Sequence, residues 1–157
     1  MIRTMNQLLE NASKEEILSA MQAALDNTNE SPFWAKRVIP YANALLSVLV
    51  PLRDQHLLFT PEGKPQEILN KTLLLNWCDL VSLKSLAFTL QKSNQADSLV
   101  RTKIDAKIAE RFETVDLELL ATYLSNNSIH LENETEDFPI ANYNLHVGVT
   151  SVISQLL

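Results

Sequence analysis

The chain is poor in glycine, with two in 157 residues, and has a single cysteine. All-β sandwiches and barrels need many tight turns, and two glycines cannot supply the positive φ angles those turns require. One cysteine excludes an internal disulfide and with it the stapled secreted scaffolds, which fits a reducing compartment such as the cytoplasm. Long apolar runs are also missing. The most apolar stretch, Val38–Leu52, holds Pro40 and Pro51 and is shorter than the roughly 20 residues a membrane crossing needs. The first twenty residues carry Arg3, Glu10, Lys14, Glu15 and Glu16 and no apolar core of a signal peptide.

Positive charge is missing from one third of the chain. Residues 112–157 hold seven acids and no Lys or Arg, whereas residues 1–111 are close to balanced at +1, for an overall net charge of −6. Affinity for nucleic-acid backbones comes from clustered basic groups, so this balance disfavours direct DNA binding and suits a basic partner.

What is present is apolar material in helical order. Hydrophobic side chains make up 46% of the chain, enough for one core, and length and composition point to a single domain over 1–157. Ser13-Lys14-Glu15-Glu16 has the form of a capping box, followed by Ile17, Leu18, Met21, Ala24 and Leu25 at helical spacing. Weaker signals suggest a short helix within Met1–Asn11. Ser31-Pro32 reads as a cap followed by proline at the first helical position. Phe33, Trp34, Val38, Ile39, Ala42, Leu45, Leu46 and Leu49 then come at steps of mostly three and four. This segment is expected to be the central helix, kinked near Lys36–Arg37 by Pro40.

The stretch from Phe59 to Pro65 is a loop. Beyond it the pattern predicts helices over Thr72–Leu80, over Leu83–Gln91 with Ser82 as cap, over Ala96–Phe112, over Leu117–Leu124 with Asp116 as cap, and from Pro139 or Asn142 to the end. Gly148 lies inside the last of these, tolerable where a neighbouring helix packs close. The expected fold is an all-α, single compact multi-helix domain of six to eight helices.

Few residues carry recognisable chemistry. His56, His130, His146 and Cys78 lie in four separate segments, without the short spacing of a zinc site, and each His is expected to be a surface or hydrogen-bonded boundary residue. Cys78, in an apolar run, is expected to be a small buried hydrophobe. Gly63-Lys64-Pro65 lacks the upstream glycine and the Ser/Thr of a phosphate-binding loop. No nucleophile elbow is present. The expectation is therefore no catalytic residue, no cofactor and no metal. Two charged features remain as candidate partner contacts: the acidic run Glu132, Glu134, Glu136 and Asp137, and the basic stripe Lys103, Lys107 and Arg111 at i, i+4 and i+8. No aromatic residue interleaves that stripe to stack bases.

Four stretches in order carry a family resemblance: Ser31-Pro32-Phe33-Trp34-Ala35-Lys36-Arg37 leading into the apolar helix, then Leu49-Val50-Pro51-Leu52-Arg53-Asp54, then Leu73–Leu90, then Leu117-Glu118-Leu119-Leu120-Ala121-Thr122-Tyr123-Leu124. Together they resemble the all-α domain inserted in type IV coupling proteins, the hexameric FtsK/RecA-like motor ATPases of conjugation and type IV secretion. The resemblance implies a cytoplasmic, non-catalytic domain that helps select relaxase–DNA complexes or protein substrates. It would be an insert of a larger ATPase anchored at the inner membrane and carrying its nucleotide motifs elsewhere. The apolar helical pattern that runs to Leu157 agrees with an excised insert. A free-standing helical adaptor, chaperone or effector is the alternative reading of the same residues.

Overall fold

The computed structural model describes residues 3–90, 115–129 and 138–157. Among these residues there are seven helices and no strand: α1 (Met5–Asn11), α2 (Lys14–Asp26), α3 (Pro32–Asp54), α4 (Lys71–Asn76), α5 (Leu80–Leu90), α6 (Glu118–Asn126) and α7 (Ile140–Leu156). The domain is all-α, and no described helix is long and apolar enough to cross a membrane. The helix expected over Ala96–Phe112 lies outside the described residues.

Local chemistry accounts for most helix starts. Thr4 and Gln7 form a reciprocal capping box at α1. At α2 the Ser13 hydroxyl accepts from the Glu16 N–H at 3.1 Å, but the Glu16 carboxylate meets the Ser13 hydroxyl rather than its backbone. Asn70 caps α4 by accepting from the Leu73 N–H. The expected helix over Thr72–Leu80 is in fact two elements. α4 ends at Asn76, and Asp79 opens α5 by accepting from the Ser82 N–H at 3.2 Å. The carboxylate at Asp79 therefore supplies the cap expected from Ser82, three residues earlier. At α6 the Asp116 carboxylate accepts from the Glu118 N–H, as anticipated.

α3 is the centre of the domain and packs on α2, α6 and α7. From Tyr41 to Arg53 it is buried at all but Asn43, Ser47 and Pro51, which are half-exposed. It runs unbroken past Pro40 and Pro51. Pro40 removes the N–H that would pair with the Lys36 carbonyl, but both residues lie on the exposed side, where water meets the orphaned oxygen. The surrounding core is one cluster that includes Leu9, Ile17, Met21, Leu73, Trp77, Leu86, Leu120, Leu124, Val149 and Ile153.

Two contacts fix how the outer helices meet α3. Arg53 is 7% exposed; it donates to the Leu9 carbonyl at 2.8 Å and the Ala12 carbonyl at 2.7 Å, and its charge pairs with Asp54. One guanidinium thus caps the C-terminal end of α1, where backbone carbonyls lack helical partners. At the other end of α3, the Trp34 ring lies against α7 at Gly148, where an added Cβ would collide with the ring. That is the close helix approach the glycine permits. Between the helices, the loop after α3 turns at Gly63 (φ 86°) and is pinned by Trp77, whose indole N–H donates to the Phe59 carbonyl at 3.1 Å.

Both contacts are testable by urea unfolding. Arg53→Met leaves the Leu9 carbonyl of α1 and the carbonyl of its C-cap Ala12 without this donor, at about 1–3 kcal/mol each, so a loss of about 3 kcal/mol is expected; an unchanged midpoint contradicts the capping role. Gly148→Ala gains up to about 1 kcal/mol of helix propensity but overpacks Trp34, which typically costs about 1–3 kcal/mol. The expected net effect is destabilising, and shortening Trp34 to Leu in the same chain should recover part of the loss.

Candidate functional site

The break between α4 and α5 brings three parts of the chain together at one buried histidine. Asp79 takes the Ser82 N–H for its cap, and the Cys78 carbonyl accepts from His146 of α7, at 2.5 Å to Nε2. A carbonyl can only accept, so Nε2 carries the hydrogen. The other ring nitrogen, Nδ1, lies 2.6 Å from the Tyr123 hydroxyl of α6 and accepts from it. His146 is therefore a neutral ring with both nitrogens engaged, joining the α4–α5 junction, α6 and α7. The Tyr41 ring of α3 meets it edge-on at 5.2 Å and tilts against Tyr123 at 4.8 Å.

The cluster's electrostatics are set by burial. Burial pushes the Cys78 thiol up to about 11 and holds Tyr123 and Tyr41 well above the usual phenol value. It lowers His146 below 6.5, outweighing the Cys78 carbonyl and Asp79, which favour the charged ring. At neutral pH the thiol keeps its proton and the imidazole has no free nitrogen. The group is a polar bracket inside the core, and nucleophile-and-base chemistry has no starting point in it. Among the described residues no group of three His, Cys, Asp or Glu side chains is placed to hold a metal ion.

Over this bracket lies an open groove of about 390 Å³ between the α4–α5 junction and α7. Cys78 and His146 line it, with Leu75 and Leu80 on one wall and Tyr143, Val147 and Ser151 on the other; Asp79 stands at its edge. On α7 the outward positions Ile140, Tyr143 and Val147 are 78%, 42% and 43% exposed. A second hollow, of about 700 Å³, lies beside the α3–α4 loop at His56, Leu58 and Ile68. The Gln66 amide in its wall is already donated to the Ile68 carbonyl.

All the residues singled out by charge, Glu132, Glu134, Glu136, Asp137, Lys103, Lys107 and Arg111, lie outside the described residues, as does His130. His56 is exposed beside the loop hollow and apart from His146. Cys78 is the buried hydrophobe expected, and burial is what raises its thiol. Sequence reasoning missed the open edge of α7. Leu145, Val149, Val152, Ile153 and Leu156 are spaced as one face of α7, and Ile140, Tyr143 and Val147 form a second apolar row at i, i+3 and i+7. Compared with known proteins, the chain matches no family model, no curated protein and no solved structure.

The bracket has a pH signature. Above 6.5 His146 is neutral in both the folded and unfolded chain, and its contribution does not change with pH. Below 6.5 the unfolded chain takes up a proton that the buried ring resists, so stability falls as pH drops until the folded value is reached. Urea midpoints should be level from pH 8 to 7 and decline toward pH 5. His146→Gln should be less stable at pH 7.5 and show a smaller decline. A wild-type midpoint that rises on acidification contradicts the assignment.

Proposed function

We propose that this chain is a non-catalytic, all-α recognition domain that helps a motor of the type IV coupling class select its protein substrates or relaxase complexes. The supporting observation is where the residues behind the resemblance sit. Phe33-Trp34 heads the central helix and seats its indole on Gly148. Arg53 of the Arg53-Asp54 corner holds α1, and Leu120 and Leu124 are fully buried. The likeness thus rests on residues that determine packing, as a shared domain fold requires. His146, Tyr123 and Arg53 are engaged in hydrogen bonds that hold the fold, and the reading places recognition on the surface. Seven acids without a Lys or Arg in residues 112–157 favour a basic protein surface over DNA.

The test is binding by the purified chain to relaxases, processing factors and effectors encoded beside it, measured by calorimetry at low and high salt. Replacing Glu132, Glu134, Glu136 and Asp137 by Lys should weaken binding several-fold at low salt and by less at high salt, where charges are screened. Charge reversal at Lys103, Lys107 and Arg111 tests the basic stripe in the same way. Binding to none of these partners overturns the reading. A reading frame that stops at Leu157, rather than continuing into nucleotide-binding motifs, favours the free-standing adaptor, chaperone or effector.

A further inference from the structure

We infer that His146 is an acid-released latch: at neutral pH it holds the α4–α5 junction to α7 across the groove, and on taking up a proton it lets the junction swing away and bares Cys78. This goes beyond the recognition reading and holds whichever partner the domain serves.

The geometry of the tie carries the inference. α7 lies along α2 and α3, whereas α4 rests on α1 and α5 on α6. The junction therefore faces α7 across the open groove rather than by helix packing. The His146 Nε2–H spans that gap, donating to the Cys78 carbonyl at 2.5 Å, while Nδ1 accepts from the Tyr123 hydroxyl of α6 at 2.6 Å. Junction, α6 and α7 thus meet in one imidazole, and both bonds require its neutral form.

A proton goes to Nδ1, the nitrogen without a hydrogen. An acceptor becomes a donor there, and the Tyr123 hydroxyl loses the group it donates to. The resulting cation sits in a side chain only 2% exposed, where a charge without water is costly. Swinging the junction aside admits water to the ring and to the Cys78 carbonyl. In the open state the ring has the ordinary imidazole affinity for protons, and in the closed state a lower one. Acid therefore favours the open state as pH falls through 6.5, until the closed value is reached.

The neighbours do not take the place of water. Tyr41 of α3 and Tyr123 of α6 present neutral phenols, and the Cys78 thiol keeps its proton. Asp79 favours the charged ring, but its carboxylate accepts from the Ser82 N–H and burial outweighs it. α7 carries no charged side chain of its own. On α2, Glu15, Glu16 and Asp26 are exposed and Lys14 donates to Ser47. On α3, Arg37 lies over the Phe33 ring and Arg53 is held at α1.

The test reads Cys78, the chain's single cysteine and now 6% exposed. The full 157-residue chain is labelled with a dipyridyl disulfide, which still reacts in mild acid. Each rate is divided by that of the urea-unfolded chain at the same pH, which removes the thiolate fraction. The normalised rate should rise about fivefold or more between pH 7 and 5.5. It should change by less than about twofold in about 1 M urea, because a moving junction exposes little surface; exposure through global unfolding would quicken about fivefold or more.

His146→Gln can still donate to the carbonyl and accept from the hydroxyl but takes up no proton, so its normalised rate should stay level with pH. Tyr123→Phe keeps the imidazole and removes its donor. It should label faster than wild type at pH 7 and retain the acid rise, and it decides the matter with the urea comparison should His146→Gln fail to fold. A wild-type rate that is level from pH 7 to 5.5 overturns the latch. So does an acid rise that urea quickens in step with global unfolding, an equal rise in His146→Gln, or no acid rise in Tyr123→Phe.

Discussion

The second half of α3 has almost no side facing water, and the remaining architecture is a response to that. A helix buried around most of its circumference over Tyr41–Arg53 must be covered from several directions, and α2, α6 and α7 supply the cover. The outlying helices can be modest. α1 and α4 have seven and six residues, lengths at which isolated helices do not persist in water. They hold their shape because capping side chains and the core satisfy what their own backbones leave open.

Apolar packing of this kind is tolerant of register, since greasy stripes can slide by a turn without losing much contact. Directional contacts remove that freedom. Arg53 reaches two particular carbonyls at the end of α1, and Trp34 fits only where α7 presents a glycine. His146 takes one carbonyl and one hydroxyl from two other parts of the chain. Each is a buried polar or close-contact demand met in one arrangement and left unmet in a slid one. Three such points, at α1, at the N-terminal end of α3 and at the α4–α5 junction, are enough to set the places of the helices around the core.

Much of this was legible from residue order. The capping signals at Ser13, Ser31-Pro32 and Asp116 marked three helix starts within a residue, because caps are local chemistry read from a few adjacent side chains. The inward face of α2 follows from spacing alone, and the close packing that makes Gly148 tolerable inside a helix is met by Trp34. The place of the break within residues 71–90 was not legible: the pattern puts it at Ser82, whereas it falls between Asn76 and Leu80. Leu73-Leu74-Leu75-Asn76-Trp77-Cys78-Asp79-Leu80 is a continuous apolar pattern. What breaks it is tertiary: the Trp77 indole donates to the Phe59 carbonyl and the Cys78 carbonyl accepts from His146, contacts 18 and 68 residues apart along the chain. Arg53 likewise read as part of a corner motif and gave no sign of its 7% exposure. A buried arginine becomes intelligible only once the carbonyls it serves are in place.

The candidate groove depends on the same tertiary contacts. One turn of α7 carries His146 inward, bonded at both nitrogens, and Tyr143 and Val147 outward, both part-exposed. The inner half of that turn is anchored to α6 and to the α4–α5 junction, so the outer half presents its apolar row on a support that is already ordered. Burial on the inner face keeps the imidazole neutral and engaged. The outer face of that turn therefore holds its part-exposed apolar side chains, Tyr143 and Val147, on a backbone fixed from within.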